Sequence, residues 1–185
     1  MNSLKLVLMP CAKLPTKLDY NMNISLRKAN ETDLPAVLDL IKELATYERA
    51  PKEVTITLHD LKKDGFGEHP IFEIILAENE KEILGMAFYF YSYSTWKGKC
   101  IYLEDIIVKE AHRGNKIGKL LFEAVIMKCK ESGAKRMQWQ VLDWNTPAIN
   151  FYNKYNASLD PTWITGRLTE DQINTFTPVA DILIN

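Results

Sequence analysis

The sequence predicts one α+β domain, a mixed central β-sheet flanked by helices, and three observations carry that prediction. Apolar residues make up 46% of the 185 residues, including four Trp, eight Tyr and seven Phe. That supplies one sizeable core, and the length leaves no room for two full domains. The apolar spacing alternates between strand and helix periods in the order β-α-α-β-β-β-α-β-α. Finally, two long apolar and aromatic runs, Ile83 to Tyr93 and Lys99 to Lys109, stand side by side in the chain as adjacent strands would.

Each element has its own local reason. Ile24 to Lys28 alternates as a half-buried strand. Asn30-Glu31-Thr32-Asp33 then supplies a capping side chain and acidic residues for a helix start, with Pro35 tolerated in the first turn. Leu34, Val37, Leu38, Ile41, Leu44 and Ala45 follow at helical spacing. Thr57-Leu58-His59-Asp60 resembles a capping box, and the helix it opens ends near Gly65-Phe66-Gly67. Ile71 to Glu78 reads as a strand and Asn79-Glu80-Lys81 as a hairpin turn. Gly114 to Glu131 is helical, with Ile117, Leu120, Leu121, Ala124, Val125 and Cys129 on one side. Lys135 to Leu142 is a strand, Asn145 to Tyr155 a short helix, and Trp163 to Ile184 is mixed, with one terminal strand.

Charge and composition exclude some functions. Twenty-three Lys and Arg against 24 Asp and Glu leave a net charge of −1, without the basic excess of a nucleic-acid binder. No apolar run approaches the ~20 residues that cross a bilayer, so no membrane partner is expected. Cys11, Cys100 and Cys129 are odd in number and far apart, as reduced thiols of a cytoplasmic protein would be. His59, His69 and His112 are equally scattered, so no metal is expected. Residues 1–21 lack an uninterrupted signal-type apolar region and read as a disordered extension or an over-long start. The domain is then 22–185.

The segment from Tyr102 to Leu121, YLEDIIVKEAHRGNKIGKLL, carries the most information. A strand runs into a short basic, glycine-containing turn, and a helix begins at once. Free N–H groups at a helix start form an anion site suited to a pyrophosphate, and Arg113 and Lys116 add positive charge. An ordinary connection whose glycines merely turn the chain has the same pattern. A nucleotide P-loop is demoted because Gly118 is followed by Lys119-Leu120, and a dinucleotide fingerprint because three spaced glycines are missing.

Arg113 to Gly118 resembles the acetyl-CoA-binding motif of the GNAT superfamily, Arg/Gln-x-x-Gly-x-Gly/Ala, with Lys116 where its first glycine is expected. At a right-handed helix start Lys suits that position; at positive φ it costs roughly 1 kcal/mol. Further blocks resemble the diamine acetyltransferases: Ile41-Lys42-Glu43-Leu44-Ala45, Tyr47-Glu48, Asp64 to Pro70, Tyr102-Leu103-Glu104-Asp105, Trp144-Asn145 and Ile149-Asn150-Phe151-Tyr152. Ser94-Thr95-Trp96-Lys97-Gly98 and Val141 to Asn145 are most similar to the branch associated with thialysine rather than with spermidine and spermine.

The resemblance implies a GNAT fold and direct acetyl transfer from acetyl-CoA, as co-substrate, to the primary amine of a small molecule, by a homodimer. It gives Glu104 the role of base and Tyr152 that of acid to the departing thiolate. Glu104 and Ile106, two apart on a strand, would share a face, with Leu103 and Ile107 on the other. Backbone N–H groups of Ile106, Ile107 and Val108 would polarise the thioester. Arg113, Gly114, Asn115, Lys116, Ile117, Gly118 and Lys119 would hold the pyrophosphate, and Asn145, Pro147 and Ala148 the CoA arm. Asn145 is equally a helix cap. The amine pocket would draw on Tyr47, Glu48, Trp96 and Asp105, with Ser94 and Thr95 favouring a lysine-like amine, although a turn uses the same two residues. Two rivals are a GNAT enzyme acting on a protein amine and an acyl-CoA-binding module without turnover.

Overall fold

The computed structural model describes residues 23–178. Residues 1–22, with the expected extension and Cys11, lie outside them. The chain divides into two compact units between Leu142 and Asp143.

The first unit is built on five strands: β1 (Ser25–Lys28), β2 (Glu73–Glu78), β3 (Ile83–Ser94), β4 (Gly98–Val108) and β5 (Arg136–Gln138). They lie in that order, antiparallel from β1 to β4, with β5 added parallel to β4. The sheet is therefore mixed, as predicted. Helices α1 (Leu34–Tyr47) and α2 (Leu58–Phe66) separate β1 from β2, and α3 (Ile117–Ser132) separates β4 from β5.

Local chemistry starts the early helices where the sequence indicates. Asn30 accepts from the Thr32 N–H at 2.9 Å, while Asp33 accepts from the Asn30 N–H at 2.8 Å, and the 3-10 turn so made runs into α1. Thr57 and Asp60 form the same reciprocal box at α2. Val37, Leu38, Leu40 and Leu61 then pack on Ile74, Leu76, Met86 and Ile107, one face of the sheet. Helix α3 contacts β2, β3 and β4 without joining that cluster, so it covers the opposite face, burying Ile117, Leu121, Phe122 and Val125. Phe122, not Leu120, is its large buried side chain, meeting Trp139 edge-on at 5.3 Å; Leu120 is exposed.

The second unit contains α4 (Thr146–Asn153) and α5 (Glu170–Asn174). Within the tail read as mixed, Glu170–Asn174 form α5, opened by a Thr169 cap; the end of that tail, where the terminal strand is expected, lies in residues 179–185, outside the described range.

An ion-pair knot ties β1 to the start of α1 and to β2. Arg27 donates to both oxygens of Asp33, at 2.6 and 2.8 Å, and reaches Glu78 at 2.9 Å. Arg27 accordingly holds the Asp33 carboxyl below its usual range. Because a depressed carboxyl stabilises the fold above its ordinary pKa and loses that contribution as pH falls, Asp33→Ala should cost about 1–3 kcal/mol near neutrality and progressively less towards acid. Urea denaturation of both proteins at several pH values measures it.

Candidate active site

Strand β4 carries one residue too many. Phe88 of β3 stands opposite Asp105 and Tyr89 opposite Leu103, so Glu104 has no opposite number. This is a β-bulge, and it resets the alternation of side chains. Directly opposed residues share a face. Ile107, opposite Met86, therefore joins the core under α1 and α2, whereas Leu103, opposite Tyr89, lies on the α3 face. The expected common face of Leu103 and Ile107 does not form, because it assumed an unbroken pleat. Ile106 opposes Ala87 on the α3 side, while Glu104 has no residue opposite it.

The bulge brings acidic groups together. Asp105, opposite Phe88, lies on the α1 face half-buried, and burial, with Glu104 and then Glu48 adding negative charge, pushes its carboxyl up to about 7. Glu48, which ends α1, is itself raised by desolvation. Tyr102, stacked on Phe90 at 5.2 Å, is raised by burial and then by Glu104, which remains exposed. Glu104 and Glu48 thus both sit within electrostatic reach of Asp105, an arrangement that favours a cation.

Beside this cluster β4 outruns its outer neighbour. The β4–β5 ladder ends at Tyr102 and Gln138, and β4 continues alone on that side through Leu103–Val108. Ile106, Ile107 and Val108, the expected thioester-polarising residues, lie on this stretch, paired to β3 through Ala87, Met86 and Gly85.

The turn into α3 supplies an anion-binding end. Helix α3 begins at Ile117, not at Gly114, because Gly114 (φ 84°) and Lys116 (φ 62°) are both left-handed. Lys116 thus occupies the strained conformation that glycine adopts freely. The first turn closes with Leu120 N–H on the Lys116 carbonyl at 3.1 Å, so Ile117, Gly118 and Lys119 carry N–H groups beyond the helical ladder. Lys116 makes no capping bond, and the first turn holds no acidic residue. A side chain at Gly118 would meet only Val108 Cγ2, at 3.7 Å, and at Gly114 nothing within 4 Å. These residues fit a pyrophosphate: backbone donors and open space at a positive helix end, with Lys116 in the turn that leads into it; the Lys119 ammonium lies 3.7 Å from Glu123, one turn along the helix.

Three expectations for side chains change. The Arg113 guanidinium is engaged within the chain: its Nε donates to the Val108 carbonyl at 3.0 Å and its carbon lies 4.9 Å from the centre of the Tyr47 ring. That ring face is therefore filled by the protein's own cation. Ser94 serves its hairpin, its hydroxyl accepting from the Trp96 and Lys97 N–H groups at 3.3 and 3.2 Å. Trp96, 79% exposed, and Thr95 occupy the same hairpin tip. At strand rise this tip is on the order of 20 Å from Asp105, so Ser94, Thr95 and Trp96 do not join the carboxylates within one chain.

In the second unit, Asn145 caps α4, accepting from the Ala148 N–H at 3.3 Å, with Pro147 in the first turn. Tyr152 is buried and meets Phe151 edge-on at 5.3 Å; Phe151, the expected core member, is only half-buried.

A strand with a bulge and a one-sided end, leading through such a turn into a helix, defines an acyltransferase of GNAT type. Residues 34–157 match the model of the acetyltransferase (GNAT) family, and the chain belongs to that family. It is 39% identical over 142 residues to a thialysine N-epsilon-acetyltransferase of Bos taurus, which spans 72% of this chain and 84% of the relative. It is 32% identical to the human spermidine/spermine N(1)-acetyltransferase-like protein 1, over 85% of this chain and 24% of that longer protein. Among solved structures, an integron cassette protein from the mobile metagenome of V. cholerae shares the fold with a TM-score of 0.68 at 22% identity, over 83% of this chain and 97% of the other.

The left-handed Lys116 predicts that Lys116→Gly leaves stability unchanged or raises it by up to about 1 kcal/mol, whereas the β-branched Lys116→Val loses at least that much. Equilibrium unfolding separates the two. For Asp105, a carboxyl raised in the folded state binds its proton more tightly there than in the unfolded chain. Stability therefore falls as pH rises from its ordinary value towards about 7. Asp105→Asn should match the wild type in melting temperature near pH 4 and exceed it at pH 8.

Proposed function

We propose that this acetyltransferase moves the acetyl group of acetyl-CoA directly onto the primary amine of a small cationic molecule of the thialysine or lysine type. The observation that carries this reading is Asp105 at the bulge, with Glu104 beside it and Glu48 within electrostatic reach, next to the stretch of β4 that β5 does not cover. The thialysine acetyltransferase of Bos taurus supports the choice of amine.

Acetyl-CoA, once bound, supplies an activated thioester carbonyl. The N–H groups of Ile117, Gly118 and Lys119, with Lys116 and Lys119, hold its pyrophosphate; Gly114 and Asn115 shape the turn; Arg113 braces it from behind. Backbone N–H groups within Ile106 to Val108 are assigned, by resemblance, to the charge that develops on the carbonyl oxygen. Asn145, Pro147 and Ala148 are assigned to the CoA arm by resemblance.

An alkylammonium with pKa ~10.4 must lose a proton before it attacks. Glu48 and Asp105 draw the cation in, and Glu104, exposed at the bulge, takes the proton directly or through water. The amine nitrogen then bonds to the acetyl carbon as the carbon–sulfur bond breaks. Tyr152 donates a proton to the departing thiolate, a role that rests on its place in the Asn150-Phe151-Tyr152 block. The working form is a homodimer in the cytoplasm; among the described residues no helix is long and apolar enough to cross a membrane.

Assay of thialysine, lysine, ornithine, spermidine, putrescine and a peptide with acetyl-CoA tests the substrate class: thialysine or lysine should give the highest kcat/KM. A preference for the peptide would replace this reading with a protein-directed one, and CoA binding without turnover of any amine would leave only a binding module. Tyr152→Phe should lower kcat on the order of 10²-fold with CoA affinity retained. Glu104→Gln should slow the reaction and recover in part at high pH, where the amine is already neutral.

A further inference from the structure

We propose that Glu43 of α1 and Glu82 of the β2–β3 hairpin are positioning residues that clamp the β4–α3 turn from two sides into its anion-binding shape, an inference that rests on this turn being the CoA site. The turn, residues 109–116, needs outside support. It carries two left-handed residues within three, Gly114 and Lys116, and conformations of that kind persist only where the surroundings over-determine them. Its own bonds are few: His112 N–H to the Lys109 carbonyl at 2.9 Å, Arg113 N–H to Glu110 at 3.2 Å, and the Asn115 side chain to the His112 carbonyl at 3.1 Å.

The outside support comes from two carboxylates. Glu82 divides its oxygens, one taking Lys109 Nζ at 2.6 Å and the other meeting His112 Nε2 at 3.1 Å, so both ends of the first half of the turn are held. Glu82 is itself fixed, because Asn79 accepts from the Lys81 and Glu82 N–H groups, each at 2.9 Å. From the other side Glu43 accepts from the Glu110 N–H at 2.9 Å, and the same oxygen lies 3.9 Å from Arg113 Nη2. Arg113 then reaches the Val108 carbonyl and the Tyr47 ring. One carboxylate stands on a helix and the other on a locked hairpin, and both act on backbone or side chains that lead directly to Gly114–Lys116.

Exposed ion pairs of this kind contribute little to global stability. Their effect belongs in the shape of the turn, which is why function and folding can be told apart. The test measures CoA affinity by calorimetry, acetyl-CoA and amine KM, kcat and melting temperature for Glu43→Ala, Glu82→Ala and Glu43→Gln, with Glu80→Ala, an exposed carboxylate of the same hairpin, as control. Each alanine variant should weaken CoA binding and raise the acetyl-CoA KM by about three- to tenfold. The amine KM, saturated kcat and melting temperature should stay near wild type. Glu43→Gln, whose amide oxygen still accepts from Glu110, should recover most of the affinity.

CoA affinity within twofold of wild type in both alanine variants overturns the proposal. So does a parallel fall of melting temperature, kcat and both KM values, which would mark a general folding role. A wild-type protein that binds CoA but acetylates no amine leaves the clamp standing and removes the proposed function; one that binds no CoA removes both.

Discussion

One extra residue in β4 is the constraint on which the active end of this sheet depends. Without the bulge at Glu104, the pleat would carry Leu103 and Ile107 to one face and Asp105 to the other side of the strand from Glu104. With it, Leu103 still seals the α3 face and Ile107 the α1 face, and both are almost wholly buried. Two cores are satisfied at once, and of Glu104, Asp105 and Ile106 between them, Glu104 is exposed and the other two are half-buried.

The cost of that arrangement is electrostatic. Two carboxylates within reach of a third that is half-buried disfavour its charged form. Asp105 answers by binding its proton more tightly in the folded chain, its carboxyl pushed up to about 7. The scaffold compensates elsewhere, as in the Arg27–Asp33–Glu78 knot that ties β1 to its neighbours.

The turn after β4 shows the same division of labour. Helix α3 leaves its first N–H groups uncapped, while α2, α4 and α5 each take a side-chain cap. Its lead-in contains Lys116 in a conformation that Lys does not prefer. What offsets that strain is contact with other elements: Arg113 against Val108 and Tyr47, Glu43 against Glu110, Glu82 against Lys109 and His112. Residues whose types suggest ligand binding, Arg113 and Tyr47 among them, are partly occupied in holding the turn itself.

By itself the sequence determined the order of the elements, the mixed sheet, the caps at Asn30 and Thr57 and the strand-turn-helix segment, because periodicity, capping and turn chemistry act over a few residues. It also located Glu104 and Asp105 through the blocks that contain them. Only the tertiary structure decided which way those residues face, since a bulge is a mismatch between two strands and neither strand records it alone. The left-handed φ of Lys116, the stacking of Arg113 on Tyr47 and the distance between Trp96 and Asp105 were likewise hidden, since none is written in the local residue pattern. Local rules fix what each segment becomes; the register between segments fixes what its side chains meet.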